Sequence, residues 1–338
     1  MRKILNIILL MVGCFTTYAQ KTNVKKEFRF AESQINLMLS ETEKLPAGTD
    51  KVSPRTLVNG ELKTVIPQDW TSGFFPGVLW YLYEYTGDDK WRKEAQKFTE
   101  NLSEMQYFTG NHDLGFMIYN SYGHGYKLTK DSVYKQAILN AAKALSTRFN
   151  PVTGTIKSWD HAKDVWTYPV IIDNMMNLEL LFAATKLSGD STFYKIAITH
   201  ANNTLKNHFR DDYSSVHVVD YNPKDGSVIK KTTHQGYSDE SSWARGQAWG
   251  LYGYTMCFRE TGDSTYLDQA NHIANFIINN PKIPKDLVPY WDYDDPKIPN
   301  APRDASAAAI TSSALFELAR MTDNEEYHRT AKKILSSL

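Results

Sequence analysis

The sequence predicts an all-α fold whose helices are arranged in pairs around a ring, an (α/α)6 toroid. Three observations support this prediction: a helix-turn-helix pattern recurs along the chain, the helices before each turn are apolar on nearly all sides, and the helices after it are amphipathic. A helix that is apolar all round belongs inside a protein, whereas an amphipathic helix has one face toward solvent. We therefore expect an inner ring of apolar helices and an outer ring of amphipathic helices.

The repeated unit is an apolar helix, a turn of Gly-Asp type, an aromatic residue three positions after the Asp, and then an alanine in a second helix. Its copies are TGDDKWRKEA from Thr86, TKDSVYKQA from Thr129, SGDSTFYKIA from Ser188, TGDSTYLDQA from Thr261 and, more loosely, TDNEEYHRTA from Thr322. The starts are 43, 59, 73 and 61 residues apart, which is too irregular for a strict solenoid but suits helix pairs with insertions. The Asp or Asn of each copy is expected to cap the second helix.

Segments outside the repeats complete the outline. FAESQINLMLSE from Phe30 predicts one more helix, so five pairs and this helix indicate an incomplete or nearly complete toroid. The only strand-like segment is SVHVVDYNP followed by DGSVIKKTT, which predicts a hairpin with its turn near Lys224-Asp225-Gly226. The middle of the chain has no Gly/Ser/Pro-rich linker, which favours a single domain.

The N-terminal residues MRKILNIILLMVGCFTTYAQK have the composition of an export signal. Two basic residues precede an apolar run from Ile4 to Val12, and Thr17-Tyr18-Ala19 suits cleavage by signal peptidase. The run is too short to span a membrane. We therefore expect a signal peptide at residues 1–19, one domain at residues 20–338, and a periplasmic location.

Cysteine usage and charge set further limits. Cys14 follows Met11-Val12-Gly13, a loose match to a lipobox, so lipid anchoring is a second interpretation of the N-terminus. Signal cleavage would leave Cys257 alone, so that no disulfide forms within the chain. The 38 basic residues balance 38 acidic ones, and loss of Arg2 and Lys3 leaves 36 against 38. Nucleic acid would require a basic stripe, which is not evident, so we expect a small anionic ligand and a monomer.

The stretch from His234 to Trp249, HQGYSDESSWARGQAW, combines Gln, His, Arg and three aromatic residues at a predicted helix start. Ser241 and Ser242 are the expected N-cap. Arg245 and Trp249 lie four positions apart, so one helix face would present a guanidinium for a carboxylate beside an indole for a sugar ring. The alternative is a structural salt bridge at Arg245, with Trp243 and Trp249 in the core. Glycines on the same helix indicate close packing or a ligand against the backbone; they are Gly246, Gly250 and Gly253.

Two aspartates are candidates for acid–base chemistry. Asp173 follows the apolar run YPVII and precedes NMM, so it should start a helix in an apolar setting. Burial there would raise its pKa, and a second carboxylate would raise it further, which keeps a proton available near neutral pH. Asp113, which follows His112, is the natural second carboxylate. Simpler interpretations are that Asp173 is an N-cap and that Asp113 is a turn residue that caps a helix. Paired carboxylates among aromatic residues indicate carbohydrate chemistry.

Five segments are spread over nearly all of the mature chain: DWTSGFFPGVLWYLYEYTGD, HDLGFM, WTYPVIIDNMMNLELL, SDESSWARGQAWGLYGY and RDASAAAITSSALFEL. Together, and in this order, they resemble the unsaturated glucuronyl hydrolases of glycoside hydrolase family 88. The resemblance implies an (α/α)6 barrel acting on oligosaccharides left by polysaccharide lyases, whose non-reducing end is a 4,5-unsaturated uronic acid. The family continues through another helix beyond the position of Leu338, so we expect a barrel that is incomplete at its C-terminal end.

The resemblance also implies roles for single residues. Asp173 resembles the acid/base that protonates C4 of the enol ether and assists attack of water at C5, after which the hemiketal opens and releases the next sugar. Asp113 resembles the partner that holds the ring hydroxyls and sets the proton affinity of Asp173, and we expect His112 beside it to bind substrate. The other matches are His217, Gln235 and Arg245 as polar contacts to the sugar and its carboxylate, and Trp70, Trp159 and Trp249 as aromatic walls.

No cofactor or metal is expected, because no Cys/His cluster has the spacing of metal ligands. The acidic residues Asp292, Asp294 and Asp295 are interpreted as a solvated turn at the rim of the funnel. Two alternative functions remain open: an unsaturated rhamnogalacturonyl hydrolase acting on pectin fragments, and a non-catalytic periplasmic glycan-binding protein. The pairing of Asp113 with Asp173, which lies in an apolar setting, favours an enzyme, since sugar binding alone gains little from a buried proton donor.

Overall fold

A computed structural model describes residues 23–338, so the predicted signal peptide at 1–19 and Cys14 lie outside the described residues. The described chain is mainly helical, and the predicted all-α class is confirmed. None of its helices combines the length and the apolar character needed to cross a membrane. The helices are α1 (Val24–Thr42), α2 (Phe74–Thr86), α3 (Asp89–Glu100), a 3-10 helix (Ser103–Tyr107), a π-helix (Gly115–Gly123) that runs into α4 (His124–Thr129), α5 (Ser132–Ser146), α6 (Asn174–Ser188), α7 (Ser191–Asn207), α8 (Ala244–Thr261), α9 (Ser264–Asn279), α10 (Ala305–Thr322) and α11 (Glu325–Ser337).

Each of the five repeated turns has the structure that its sequence predicts. The first helix ends at a residue with left-handed backbone, and the side chain of the next residue accepts a hydrogen bond from a backbone N–H in the first turn of the second helix. Such a cap contributes roughly 1 kcal/mol to helix stability. The capping residues are Asp88, Asp131, Asp190, Asp263 and Asn324.

The helices form the two predicted layers. In the inner layer α2 packs against the π-helix, the π-helix against α6, α6 against α8, and α8 against α10, while α3, α5, α7, α9 and α11 each pack on the outside of their partner. The aromatic and the alanine of each repeat are buried between the layers, as in Trp91 with Ala95 and Tyr266 with Ala270. On α8, a Cβ at Gly253 would lie 2.4 Å from Cβ of Met175 on α6, so close helix packing accounts for this glycine.

The structure contains more strands than the one hairpin that the sequence predicts. The hairpin is present as β6 (Val218–Tyr221) and β7 (Val228–Thr232), but β5 (Pro169–Ile171) joins it as a third antiparallel strand. Two further hairpins pair β1 (Ser53–Val58) with β2 (Glu61–Val65), and β3 (Phe149–Asn150) with β4 (Thr155–Ile156). The expectation of a single strand-like segment was wrong, because β3, β4 and β5 have only two or three residues and β1 does not alternate between buried and exposed positions.

Candidate active site

A cavity of about 230 Å³ lies where the loops that enter the inner helices meet. Seven of the nine predicted site residues line it, and the other two, His217 and Trp249, contact lining residues from behind. The walls also include side chains that no sequence pattern indicated. The seven are Trp70, His112, Asp113, Trp159, Asp173, Gln235 and Arg245, and the additional side chains include Asn111, Phe116, Ser158, His161, His234 and Trp243.

Asp173 stands between the end of β5 and the start of α6. The N–H of Ile172 donates to the carbonyl oxygen of His217 at 3.1 Å, which extends the β5–β6 pairing and places Asp173 beside His217. Asp173 occupies the N-cap position of α6, yet its side chain makes no capping hydrogen bond. Asp173 is thus the N-cap residue by position, but its carboxyl group does not cap the helix and is available for other chemistry.

His217 connects Asp173 to the segment that follows β7. Its Nδ1 accepts hydrogen bonds from the backbone N–H groups of His234 and Gln235, at 3.1 and 3.0 Å, and its Nε2 lies 3.6 Å from Oδ2 of Asp173. The ring also packs against Trp243, with 4.7 Å between ring centres. Burial first, and then the electrostatic effects of His234, His208, Arg245 and His112, hold the pKa of His217 well below its usual value, so the ring is neutral.

Asp113 is carried by a loop that is tied to the strand before Asp173. The backbone N–H of His112 donates to the carbonyl oxygen of Ser158 at 3.0 Å, and the N–H of Ser158 donates to the carbonyl oxygen of Pro169 in β5 at 2.8 Å. Oδ1 of Asp113 lies 3.2 Å from Nε2 of His112. The side chain thus faces its neighbouring imidazole and caps no helix, and the two aspartates are brought to one cavity by backbone hydrogen bonds through Ser158.

Both carboxyl groups bind protons more tightly than usual. Burial raises the pKa of Asp173 to about 7, opposed in part by the positive charge of Arg245. Burial also raises the pKa of Asp113 to about 8, with a further contribution from the negative charge of Asp173 and opposition from Arg148. Burial first, and then Arg148, lowers the pKa of His112 to about 3, so this ring is neutral. Near neutral pH the cavity therefore holds carboxylic acid beside uncharged imidazoles.

Arg245 is both a structural ion-pair partner and part of the cavity wall. Its Nη1 lies 2.7 Å from Oδ2 of Asp304, its Nη2 donates to Oε1 of Gln235 at 3.4 Å, and its guanidinium lies 4.6 Å from the ring centre of Trp243. A guanidinium held over an indole can donate hydrogen bonds to a carboxylate that enters from the cavity side. Asp304 belongs to the segment RDASAAAITSSALFEL, but no pattern in the sequence indicates that it pairs with Arg245.

The helix that carries Arg245 begins later than the sequence predicts. Its N-cap is Trp243 and its first residue is Ala244, whereas Ser241 and Ser242 lie outside it. The N–H of Ala244 donates to the carbonyl oxygen of Trp291, and this pairing keeps the preceding backbone extended. Arg245 stacks on Trp243, two positions before it, while Trp249, four positions after it on α8, lies behind Phe116.

Trp249 lies one layer deeper than the other predicted walls. Its ring centre is 5.0 Å from that of Phe116, which separates it from the cavity, and Trp70 contacts the same Phe116 at 5.5 Å. The Trp159 ring lies at the cavity beside His161 and His234, at 5.4 and 5.5 Å between ring centres. A direct sugar contact by Trp249 stays a prediction, while its support of Phe116 is a property of the structure.

The interpretation of Asp292, Asp294 and Asp295 as a solvated turn was wrong for two of the three. Asp292 is fully buried and accepts hydrogen bonds from the N–H of Tyr237 and the hydroxyl of Ser241, and Asp295 is also buried. Asp294 alone is well exposed, in a pair with Lys282. Within residues 23–338, no group of three or more His, Cys, Asp or Glu side chains is arranged to hold a metal ion.

Comparison with known proteins gives consistent matches along the chain. The sequence model of Glycosyl Hydrolase Family 88 matches residues 49–338. An unsaturated glucuronyl hydrolase of Formosa agariphila is 45% identical over 346 residues, covering 100% of this chain and 86% of that protein. An unsaturated chondroitin disaccharide hydrolase of Streptococcus pneumoniae is 35% identical over 279 residues, covering 80% and 70% of the two chains. A crystal structure of an unsaturated glucuronyl hydrolase specific for heparin superposes with a TM-score of 0.88 at 45% identity, covering 93% of this chain and 83% of that one.

Proposed function

The chain belongs to glycosyl hydrolase family 88, and we propose that it removes 4,5-unsaturated glucuronic acid from the non-reducing end of oligosaccharides by hydration of the vinyl ether. The protein is a glycosidase. The observation that carries the proposal is the placement of two buried carboxyl groups of raised pKa, Asp113 and Asp173, in one aromatic cavity beside Arg245.

The chemistry requires a proton donor that stays protonated near neutral pH. Protonation of an alkene carbon is difficult, so a desolvated carboxylic acid such as Asp173 suits the first step, in which C4 gains a proton and positive charge develops at C5 and the ring oxygen. Water then adds at C5 as the Asp173 carboxylate accepts its proton. The hemiketal formed opens, and the next sugar leaves.

The remaining walls suit an unsaturated uronic acid. We assign the guanidinium of Arg245, which lies beside Gln235 in the cavity wall, to the uronate carboxylate, and the Asp113 carboxyl group in the same wall to the ring hydroxyls. Trp70 and Trp159 offer aromatic surface to the faces of the sugar. Apart from Arg245, these groups offer hydrogen bonds and aromatic surface, which suits the neutral part of the uronate ring.

Glycosaminoglycan fragments made by a lyase are the substrate source that the comparisons favour. The names of the similar proteins refer to glucuronyl, chondroitin disaccharide and heparin substrates. Pectin-derived unsaturated rhamnogalacturonyl fragments are the competing substrate class. A binding protein without catalysis would have no use for two protonated carboxyl groups, and family membership supports the enzyme.

The proposal includes export to the periplasm. Its support is the basic start, apolar run and cleavage sequence within residues 1–19. Lipid anchoring at Cys14 is the alternative, and mass spectrometry of the protein from the native cell envelope distinguishes an acylated cysteine from a chain that begins at Gln20.

One spectrophotometric experiment tests the activity. The unsaturated uronate absorbs ultraviolet light and its hydrated product does not, so turnover appears as a loss of absorbance. We expect loss with lyase-generated disaccharides of chondroitin, hyaluronan or heparin, and a slower reaction with unsaturated rhamnogalacturonan fragments. A stable absorbance with every glucuronyl disaccharide would contradict the proposed function, and consumption of the pectin fragments alone would replace it with the competing class.

A further inference from the structure

Two buried atoms face each other at the base of the cavity without a hydrogen-bond partner in the described chain: Nε2 of His217 and Oδ2 of Asp173. They are 3.6 Å apart, slightly beyond an ordinary N–H···O hydrogen bond. Catalytic contacts are often long in an empty site and shorten when the substrate is bound. A shift of a few tenths of an ångström by either side chain would therefore complete a hydrogen bond between them.

The proton on His217 has a defined position. Nδ1 accepts from the backbone N–H groups of His234 and Gln235, and a nitrogen that accepts two hydrogen bonds carries no proton. The ring is neutral because burial and the neighbours His234, His208, Arg245 and His112 lower its pKa. The acidic group that faces it is Asp173. A neutral imidazole without a proton on Nδ1 has it on Nε2, the nitrogen that faces Asp173.

The two oxygens of Asp173 have different surroundings. Oδ2 is buried against His217, while the side chain as a whole keeps 12% exposure and lines the cavity, which leaves Oδ1 as the oxygen on the cavity side. An oxygen that faces an N–H donor cannot present its own proton in that direction without a clash of hydrogens. The acid form of Asp173 is therefore restricted to a proton on Oδ1.

We propose that His217 is a positioning residue, whose Nε2–H reserves Oδ2 of Asp173 as an acceptor and so keeps the transferable proton on Oδ1, toward the substrate. This inference rests on the proposed function, in which Asp173 is the proton donor. It assigns His217 a role different from the sugar contact that the family resemblance implies. The backbone N–H groups of His234 and Gln235 contribute to this role, because their hydrogen bonds to Nδ1 keep the His217 proton on Nε2.

Two substitutions separate the two nitrogens of His217. In His217→Asn, the amide oxygen takes the place of Nδ1 and can accept the two backbone N–H groups, but nothing reaches Asp173. In His217→Gln, the amide nitrogen takes the place of Nε2 and can donate to Asp173. We expect His217→Asn to lower kcat about tenfold to a hundredfold, the usual value of a charge-assisted hydrogen bond, with KM changed by less than about threefold. His217→Gln is expected to keep most of the wild-type kcat.

The pH profile supplies a second readout. An N–H donor stabilises the carboxylate of Asp173 more than the acid, so its removal raises the pKa of Asp173. The alkaline limb of the His217→Asn profile should therefore move to higher pH, and that of His217→Gln should stay near the wild-type position. A raised KM with unchanged kcat in His217→Asn would overturn the proposal in favour of a sugar contact. Equal losses of kcat in both variants with unshifted profiles would also overturn it.

A measurement without substrate keeps the test independent of activity. Nitrogen-15 NMR of histidine-labelled wild-type protein should show His217, identified by loss of its signals in His217→Gln, as the neutral Nε2–H tautomer from about pH 6 to about pH 8. An imidazolium or an Nδ1–H tautomer in that range would overturn the inference. A wild-type protein that leaves every unsaturated substrate unchanged would contradict the proposed function, while the NMR signature would still decide the tautomer.

Discussion

Nη1 of Arg245 lies 2.7 Å from Oδ2 of Asp304, and the other oxygen of that carboxylate accepts from the N–H of Ala307 to cap α10. The cation in the cavity is therefore fixed to the start of the next inner helix before any substrate binds. Asp304 is buried, whereas the Arg245 side chain keeps 24% exposure on the cavity side. A guanidinium held in one orientation loses little side-chain entropy when a carboxylate arrives.

Replacement of Arg245 tests this carboxylate site. Lysine keeps the positive charge but cannot contact Asp304 and a uronate with one planar fork, so Arg245→Lys should raise KM about tenfold to a hundredfold with a smaller change in kcat. Steady-state kinetics with an unsaturated disaccharide measures both constants. Arg320→Lys, at an exposed position on α10, is the control and should leave KM unchanged. An unchanged KM in Arg245→Lys would limit Arg245 to its ion pair with Asp304.

Asp173→Asn should remove turnover while leaving binding largely intact. The amide keeps the shape of the side chain but has no acidic proton, and loss of a general acid typically costs at least about a hundredfold in rate. Turnover is measured by absorbance loss and binding by calorimetry with the same disaccharide. Asp190→Asn, a cap of α7 where asparagine serves equally well, should keep the wild-type rate. Rates within a few-fold of wild type in Asp173→Asn would contradict the assignment.

Asp113→Asn distinguishes two explanations of the raised pKa of Asp173. Sequence reasoning predicts that the charge of Asp113 raises it, so that neutral asparagine would move the alkaline limb toward acid. In the structure burial is the first cause, and Asp113 has the higher pKa of the two, so it is still neutral when Asp173 ionises. We therefore expect a higher KM from lost hydroxyl contacts and an alkaline limb that stays near pH 7. A clear acid shift in the pH dependence of kcat/KM would restore the first explanation.

Stability should depend on pH through Asp173. Its pKa in the folded protein, about 7, is above the usual 3.8 of an aspartate, so its contribution to stability is full below about pH 4 and is lost as the pH rises through 7. Asparagine does not ionise, and Asp173→Asn should therefore be more stable than wild type above pH 7, by up to roughly 4 kcal/mol, with this advantage absent near pH 4. Calorimetric Tm values at the two pH values measure the difference. An equal Tm difference at both would mean that the Asp173 pKa is not raised by folding.

Close packing of α8 on α6 predicts a stability effect far from the chemistry. In Gly253→Ala the new Cβ would meet Cβ of Met175 at 2.4 Å, and overpacking of this kind typically costs about 1–3 kcal/mol. Gly250→Ala on the same helix is the matched control, because its new Cβ meets the ring of Phe209 at 3.1 Å and no backbone atom. Denaturant unfolding should show a clearly larger loss for Gly253→Ala, and similar values for both would contradict the packing explanation.

Local sequence signals determined the helix pairs. In each repeat the Asp or Asn cap, the aromatic three residues later and the following alanine act within one turn and one helix, so the chain specifies them without knowledge of the rest of the fold. The same holds for Asp113 and Asp173, which stand out through their immediate neighbours. The family resemblance then supplied the roles of these residues.

Only the tertiary structure decided which side chains meet. The start of α8 was predicted too early because Ala244 pairs with Trp291, a residue far along the chain that helical periodicity does not reveal. The contact of Arg245 with Trp243 follows from this start. Asp304 and the contact between His217 and Asp173 were missed for the same reason, since each depends on a partner distant in sequence. Caps and amphipathic faces are set by residues a few positions apart, whereas burial, the raised pKa of Asp173 and the tautomer of His217 arise only when separate segments close over one another.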